Sequence, residues 1–350
     1  MYQKKPSTFP DTVQAIAITR HGGPDVVEKM SVPFPKQEPN DIVVKVNWCG
    51  VNTIDTYFRN GIYPLRAFPQ VLGNEASGTI VALPTDPKVL EDERYKARGY
   101  KIGQRVALID LGTYAEYVSH NWIRVFPIPG EVPQDVAAAV LAHGLTVVTQ
   151  MNEAYDVQKG DTIFIHTIAG GLGLLFTAYA KARGATVIGS TSTPEKAEIA
   201  KRCGADHVLL YTKEDIVQRA LEVTDGEGMH AVFDGVGKDT FLRDFDMLRR
   251  KGTLVLLGNA SGVPDPVSPL KLSAKNLKLM RPSLPNYLVT PEEVDNHATQ
   301  LWKAVKSGLF KVRIEGVYPF STEGARDAQR DLTTPGGRIA GKVLIKIADE

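Results

Sequence analysis

Two cysteines, Cys49 and Cys203, are all that the 350 residues contain. They cannot build a disulfide framework, and so few thiols fit a reducing compartment. Long apolar runs are missing too. No stretch of about 18 apolar residues occurs, so no membrane-spanning helix is expected. Neither sign of charge is in excess, at a formal net +1, and no block of like charge occurs. A basic field for nucleic acid or a charged interaction tail is therefore not expected. The stretch before Pro10 has two lysines but no apolar segment after them, which does not read as a signal peptide. Repeats and low-complexity segments are also absent. The expected location is the cytoplasm, with neither membrane nor nucleic-acid partners.

What is present is an ordinary globular composition, 43% apolar and 23% charged, long enough for two domains with their own cores. The first 135 residues read as β-rich. Alternating runs at 12–19, 41–46, 71–83, 105–110 and 114–118 are broken by Gly and Pro, which suggests a barrel-like domain. The charged stretch 84–99, with Asp86 and Pro87 as a breaker, reads as an exposed loop. From Asp135 the pattern becomes a regular alternation. Strands are expected at 161–166, 186–190, 207–210, 231–234 and 253–257, and helices at 172–183, 194–203, 214–223 and 240–248. Such alternation predicts an α/β doubly wound parallel sheet of Rossmann type over 136–286. Helices at 291–307 and 322–332 and strands at 313–317 and 342–347 complete the chain, with Trp302 in the core. The basic run Arg249, Arg250 and Lys251 is expected at a helix end, complementing the dipole there.

The strongest local signal is the strand 161–166 running into Ala169, Gly170, Gly171, Leu172 and Gly173, which open a helix. Gly170 and Gly171 let backbone N–H groups approach a pyrophosphate, and Gly173 clears space where helix and strand pack. The first position of the usual G-x-G-x-x-G is Ile168 here. An NAD site carries Asp or Glu at the end of the second strand. This strand ends in Ser190, Thr191, Ser192 and Thr193, and Lys196 follows one turn later. Hydroxyls and a cation suit a 2′-phosphate, so NADPH is the expected cofactor.

Further motifs run in order along the chain: the segment 52–64 with Asn52, Asp55, Tyr57, Arg59, Gly61 and Tyr63; 112–117; Gly144 and Thr146; 169–173; Gly258, Asn259, Ser261 and Gly262; and 281–284. Together the sequence resembles the zinc-free quinone oxidoreductase (zeta-crystallin-like) branch of the medium-chain dehydrogenase/reductase superfamily, over 13–347. The resemblance implies a GroES-like catalytic domain of 1–135 completed by 287–350, a Rossmann domain inserted between, and an active cleft at their junction. It implies a homodimer with Rossmann sheets joined across subunits, and NADPH reducing quinones or related unsaturated carbonyls. It also carries residue roles. Lys196 and Tyr211 match positions that hold the 2′-phosphate and adenine ribose. Asn52, Asp55, Tyr57 and Tyr63 match the polar cluster around nicotinamide and substrate. Gly144 and Thr146 match positions against the cofactor, and Gly258, Asn259 and Ser261 positions near its nicotinamide end. A family arginine is replaced by Gly337, with Arg338 next to it.

No zinc is expected. Two cysteines cannot build the structural lobe of zinc-dependent relatives, and their Gly-His-Glu slot reads Gly73, Asn74 and Glu75. Cys49 reads as a small core residue. Quinones accept hydride readily, so positioning in a dry cleft suffices. Asn52 and Tyr57 are the candidate donors to the oxygen that gains charge, Tyr57 or water the proton source, and Asp55 an orienting group. Tyr63 reads as a partner or a cleft wall, His143 more as a structural residue than as a contact of cofactor or substrate, and His166 as a satisfied structural histidine. The alternatives are an NADPH-dependent enone, enal or enoyl reductase and, from another class, a non-catalytic NADPH-binding or RNA-binding crystallin-like protein.

Overall fold

The computed structural model describes residues 9–334, 337 and 339–350. They form two compact units, one of residues up to Ala142 with Gly316–Leu332 and Val343–Glu350, the other of His143–Glu315 and Thr333–Lys342. The division falls later than the expected step at 135, and all of 287–315 belongs with the second unit. The reason is packing: a Cβ on Gly144 would stand 2.2 Å from Leu301 Cδ1, so the glycine seats that leucine. Leu301 is fully buried whereas Trp302 is only half-buried, which corrects the expectation for the tryptophan.

The first unit contains strands β1 (Thr12–Ile18), β2 (Glu28–Pro33) and β3 (Asp41–Val51), then helix α1 (Thr53–Asn60). There follow β4 (Gln70–Val71), β5 (Glu75–Ala82), helices α2 (Pro87–Glu91) and α3 (Glu93–Arg98), β6 (Arg105–Ile109), β7 (Tyr117–Asn121) and β8 (Val125–Pro127), and α4 (Gln134–Thr149) leads out of it. The order in one sheet is β2-β1-β4. The larger sheet runs β3-β5-β6-β8, with β7 also on β3, and is extended beyond β3 by C-terminal strands. The expected loop at 84–99 is instead two short helices. Asp86 accepts the Lys88 N–H and Pro87 follows it, so the pair starts a helix and does not merely break one. Asp92 caps α3, and its buried Tyr95 packs edge-on against Trp122. The expected strand at 71–83 is broken at Leu72–Asn74, where Gly73 has φ 91°.

The second unit contains β9 (Thr162–Ile165), α5 (Gly171–Ala182), β10 (Thr186–Thr191), α6 (Pro194–Arg202), β11 (His207–Leu210), α7 (Ile216–Val223), β12 (Met229–Asp234), α8 (Phe241–Met247) and β13 (Leu248–Leu256). After these come α9 (Leu270–Ser273), β14 (Lys278–Met280), α10 (Pro291–Lys306), β15 (Ile314–Pro319), α11 (Thr322–Thr333) and β16 (Lys342–Lys346), of which α11 and the ends of β15 and β16 belong mostly to the first unit. Six parallel strands lie in the order β11-β10-β9-β12-β13-β14. The strand order reverses at β9, and in such sheets ligands bind beyond the carboxyl ends at the reversal. Phe164, Ile188, Val232 and Leu254, one from each central strand, form part of one buried cluster with Phe241 and Phe245 of α8. Each such side chain contributes roughly 1.5–3 kcal/mol by leaving water. The run at 249–251 sits in β13 and not at a helix end, and Arg249 bonds His230 there.

Candidate functional site

In the second unit the glycine turn follows β9 at the strand-order reversal. Thr167 takes the left-handed conformation (φ 51°), and the Gly170 N–H closes the turn on the Thr167 carbonyl at 2.8 Å. The Gly170 N–H is thus committed to the turn itself. The first-turn N–H groups of α5, on Gly171, Leu172 and Gly173, have no intrahelical acceptor. Gly173 is required by space. A Cβ there would lie 2.6 Å from the Thr167 oxygen and 2.7 Å from the Ile168 oxygen. Ile168, the departure from the glycine pattern, is fully buried. It fits because β10 offers Gly189, whose Cβ would stand 2.5 Å from Ile168 Cδ1. A glycine inside a strand signals such a close approach, and that signal was overlooked.

His143 lies behind the same turn: a Cβ on Gly171 would meet its Cε1 and the Gly341 oxygen, both at 3.0 Å. Burial first, and then the charge of Lys342, push the His143 pKa well down, so the imidazole is neutral. Ala169 is buried, Leu172 half-buried and Thr146 half-buried.

At the end of β10, Ser190, Thr191 and Ser192 are buried. The Ser190 hydroxyl lies 3.2 Å from His166 Nδ1, which turns it inward. Thr193 caps α6 by accepting the Lys196 N–H at 3.3 Å. Lys196 is half-buried; burial lowers its pKa, and Glu315 opposes this. Tyr211 is 48% exposed, with its N–H on the Thr191 carbonyl at 3.1 Å, beside that strand end. Gly258 approaches Gly235 so closely that a Cβ would stand 2.4 Å from its oxygen. With its amide oriented to satisfy both neighbours, Asn259 donates to the Gly258 carbonyl at 2.9 Å and accepts from Arg281 at 3.0 Å. Ser261 donates to the Val236 carbonyl and accepts the Asp239 N–H, so it pins its loop. Arg338 lies outside the described residues.

In the first unit α1 begins with a capping box. The Asn52 N–H donates to Asp55 Oδ2 at 2.8 Å, and the Asn52 side chain accepts the Asp55 N–H. Asn52 Nδ2 donates to Glu75 Oε1 at 2.8 Å, and Glu75 Oε2 accepts the Ala142 N–H at 2.7 Å. An amide nitrogen has two hydrogens, so the bond to Glu75 alone does not exhaust it as a donor. Asp55, fully buried, also accepts the Tyr114 hydroxyl at 2.7 Å. Burial, then the Asp55 charge, push the Tyr114 phenol well up. Asp55 and Tyr114 therefore orient the start of α1. Tyr57 is buried and meets Tyr63 edge-on at 5.3 Å. Glu75 and Tyr114 were visible only as parts of motifs, because nothing local in sequence links either to Asn52. The Cys49 thiol donates to the Thr113 carbonyl at 3.1 Å. Burial, then Asp55 and Glu75, raise its pKa well above the usual thiol value, as suits a core residue and not a thiolate ligand.

Residues 38–130 match the alcohol dehydrogenase GroES-like domain family, and 171–303 match the zinc-binding dehydrogenase family. A probable quinone oxidoreductase of Schizosaccharomyces pombe is 36% identical over 324 residues, covering 92% of this chain and 94% of that protein. The chain belongs to the quinone oxidoreductase family of the medium-chain dehydrogenase/reductase superfamily. The Escherichia coli quinone oxidoreductase solved in complex with NADPH is a structural relative of this family member. It has a TM-score of 0.87 at 32% identity, over 95% of this chain and 100% of that one. A 2-haloacrylate reductase of a Burkholderia species is 32% identical, over 89% of this chain and 94% of that protein.

Proposed function

We propose that this family member is an NADPH:quinone oxidoreductase that works without a metal. The observation that carries the reading is the turn at the sheet reversal, followed by a strand end with no carboxylate and by Lys196. The relative solved with NADPH supports the choice of cofactor. The residues present fit that cofactor: the first turn of α5 offers amides with no intrahelical acceptor.

Bound NADPH supplies the hydride. The amides of Gly171, Leu172 and Gly173 hold the pyrophosphate, with Ala169 and Gly170 shaping the turn. Lys196, Thr191, Ser192 and Tyr211 hold the phosphorylated ribose, and Ser190 supports them from inside. Gly258, Asn259 and Ser261 shape the nicotinamide end, and Gly144 and Thr146 complete the cofactor's surroundings. Asn52 and Tyr57 donate hydrogen bonds to the quinone oxygen as it gains charge, and Tyr57 can pass it a proton. Asp55 keeps Asn52 in place, and Tyr63 backs Tyr57. The Asn52 amide and the protonated Cys49 thiol are poor zinc ligands, which supports a metal-free reaction.

Steady-state turnover with NADPH should favour 1,4-benzoquinone and 9,10-phenanthrenequinone over 2-alkenals, unchanged by dialysis against EDTA. A clear preference for alkenals would establish the second reading, a double-bond reductase, which the haloacrylate-reducing relative supports. NADPH binding without hydride transfer to any acceptor would favour the non-catalytic alternative. No helix among the described residues is long and apolar enough to cross a membrane. We place the protein in the cytoplasm as a homodimer, using edge strand β14 with its partly exposed Leu279. Light scattering at the mass of one chain would remove the pairing.

A further inference from the structure

Beneath the cradle a chain of buried polar groups crosses the sheet. His166, the first residue after β9, places Nε2 2.8 Å from Asp244 Oδ1 of α8 and Nδ1 3.2 Å from the Ser190 hydroxyl at the end of β10. Asp234, the last residue of β12, accepts the Val236 N–H at 2.7 Å, the Gly237 N–H at 3.2 Å and the Thr240 hydroxyl at 2.9 Å. It thereby folds the loop that seats Gly258. His166, Asp234 and Asp244 each offer a polar atom within 4.8 Å of the other two. All four residues are buried. Asp244 Oδ2 is buried without a hydrogen-bond partner among the described residues, and two buried carboxyls this near each other stay together if one carries a proton.

We propose that Asp244 and His166 are positioning residues for the cofactor cradle: with Asp234 they hold a shared proton in a buried chain that ties the ends of β9, β10 and β12 together, and the cradle keeps its shape while that proton is held. The proposal rests on the cradle being an NADPH site. Titration supports it. Burial raises Asp244 to about 7 against the pull of His166, while Asp234 adds to the rise. Burial opposes a charge on His166, but Asp244 outweighs it and the histidine is also raised. Both shifts mean that the folded protein binds the proton more tightly than the unfolded chain does. The stabilisation is thus present at low pH and is lost as pH rises through neutrality.

The groups facing Asp244 are His166 and Asp234. Other charges on the flanking elements have partners elsewhere or are exposed. Arg243 of α8 pairs with Asp215 at 2.6 Å, Arg219 of α7 with Glu214 at 3.1 Å, and Arg249 of β13 with His230 of β12. Asp246 of α8 is exposed, and Lys271 of α9 lies over the Phe245 ring.

The test is NADPH affinity by fluorescence titration at several pH values in the full chain. Wild-type affinity should fall about three- to tenfold between about pH 6.5 and 8.5. Asp244→Asn keeps an acceptor for His166 and a permanent donor for Asp234, so its profile should be flat at the wild-type low-pH value. The ligand's own phosphate titration is common to both proteins and cancels. His166→Gln, which bridges the same neighbours but removes the charge that holds Asp244 down, should move the fall in affinity to higher pH, and serves if Asp244→Asn does not fold. Parallel profiles for wild type and a folded variant would overturn the proposal, as would loss of binding at every pH in folded Asp244→Asn. Absence of NADPH binding by the wild type at any pH would instead count against the proposed function.

Discussion

Gly173→Ala is expected to cost about 3 kcal/mol of stability, the upper end of overpacking penalties, and to abolish tight NADPH binding. The new Cβ would be 2.6 Å from the Thr167 oxygen, 2.7 Å from the Ile168 oxygen and 2.8 Å from the Ile168 carbonyl carbon. All three are main-chain atoms, so no rotamer change relieves the clash. Thr167 is already left-handed, a sparsely populated conformation for a β-branched residue, and its carbonyl closes the turn on Gly170. Relief therefore requires the turn to move away from α5, which takes the first-turn amides out of register with a pyrophosphate. Gly130→Ala, where nothing lies within 4 Å of the added carbon, should leave both properties unchanged. Gly171→Ala should fall between, because its contacts begin at 3.0 Å and include a histidine ring. Urea denaturation and NADPH titration of the three variants check this order. Wild-type affinity in Gly173→Ala would mean that the turn does not bind the cofactor.

Lys196→Ala should weaken NADPH about 10- to 100-fold and NADH by no more than about twofold. A hydrogen bond to a charged group contributes about 1.5–3 kcal/mol, reduced here because the ammonium is only half-buried and partly screened. The position is well defined: Thr193 caps α6, and Lys196 is its third residue. Glu315 acts on the same ammonium and would repel the added phosphate if Lys196 were removed, which widens the gap between the coenzymes. The salt dependence should change with it, since wild-type NADPH affinity falls with ionic strength more steeply than that of the variant. Equal losses for NADPH and NADH, measured side by side by titration, would rule out the phosphate role. Retained NADH binding also serves as the control for folding.

Much of this protein was legible before its structure. The alternation from β9 to β13 was readable because buried parallel strands are continuous apolar runs and α5 and α6 are closed by Gly184 and Gly204. The place of Gly173 and the missing carboxylate after β10 followed from the same local rules. The helices at 87–98 were missed because Asp86 with Pro87 reads equally as a breaker or a start. Helix α1 was seen as a motif and not as a helix, although Asn52 and Asp55 are spaced as a capping box.

By itself, then, the chain's order of residues determined the layers, the turn that opens α5 and the preference for a cation where an NAD site would place an acid. Each depends on neighbours a few positions apart, which is the range over which backbone periodicity and capping act. Only the tertiary structure decided how the buried polar groups are used: Ser190 turned to His166, His166 to Asp244, and Asn52 to Glu75. A buried donor or acceptor must find a partner wherever the fold brings one, and these partners are separated by 24, 78 and 23 residues, beyond the reach of any local pattern.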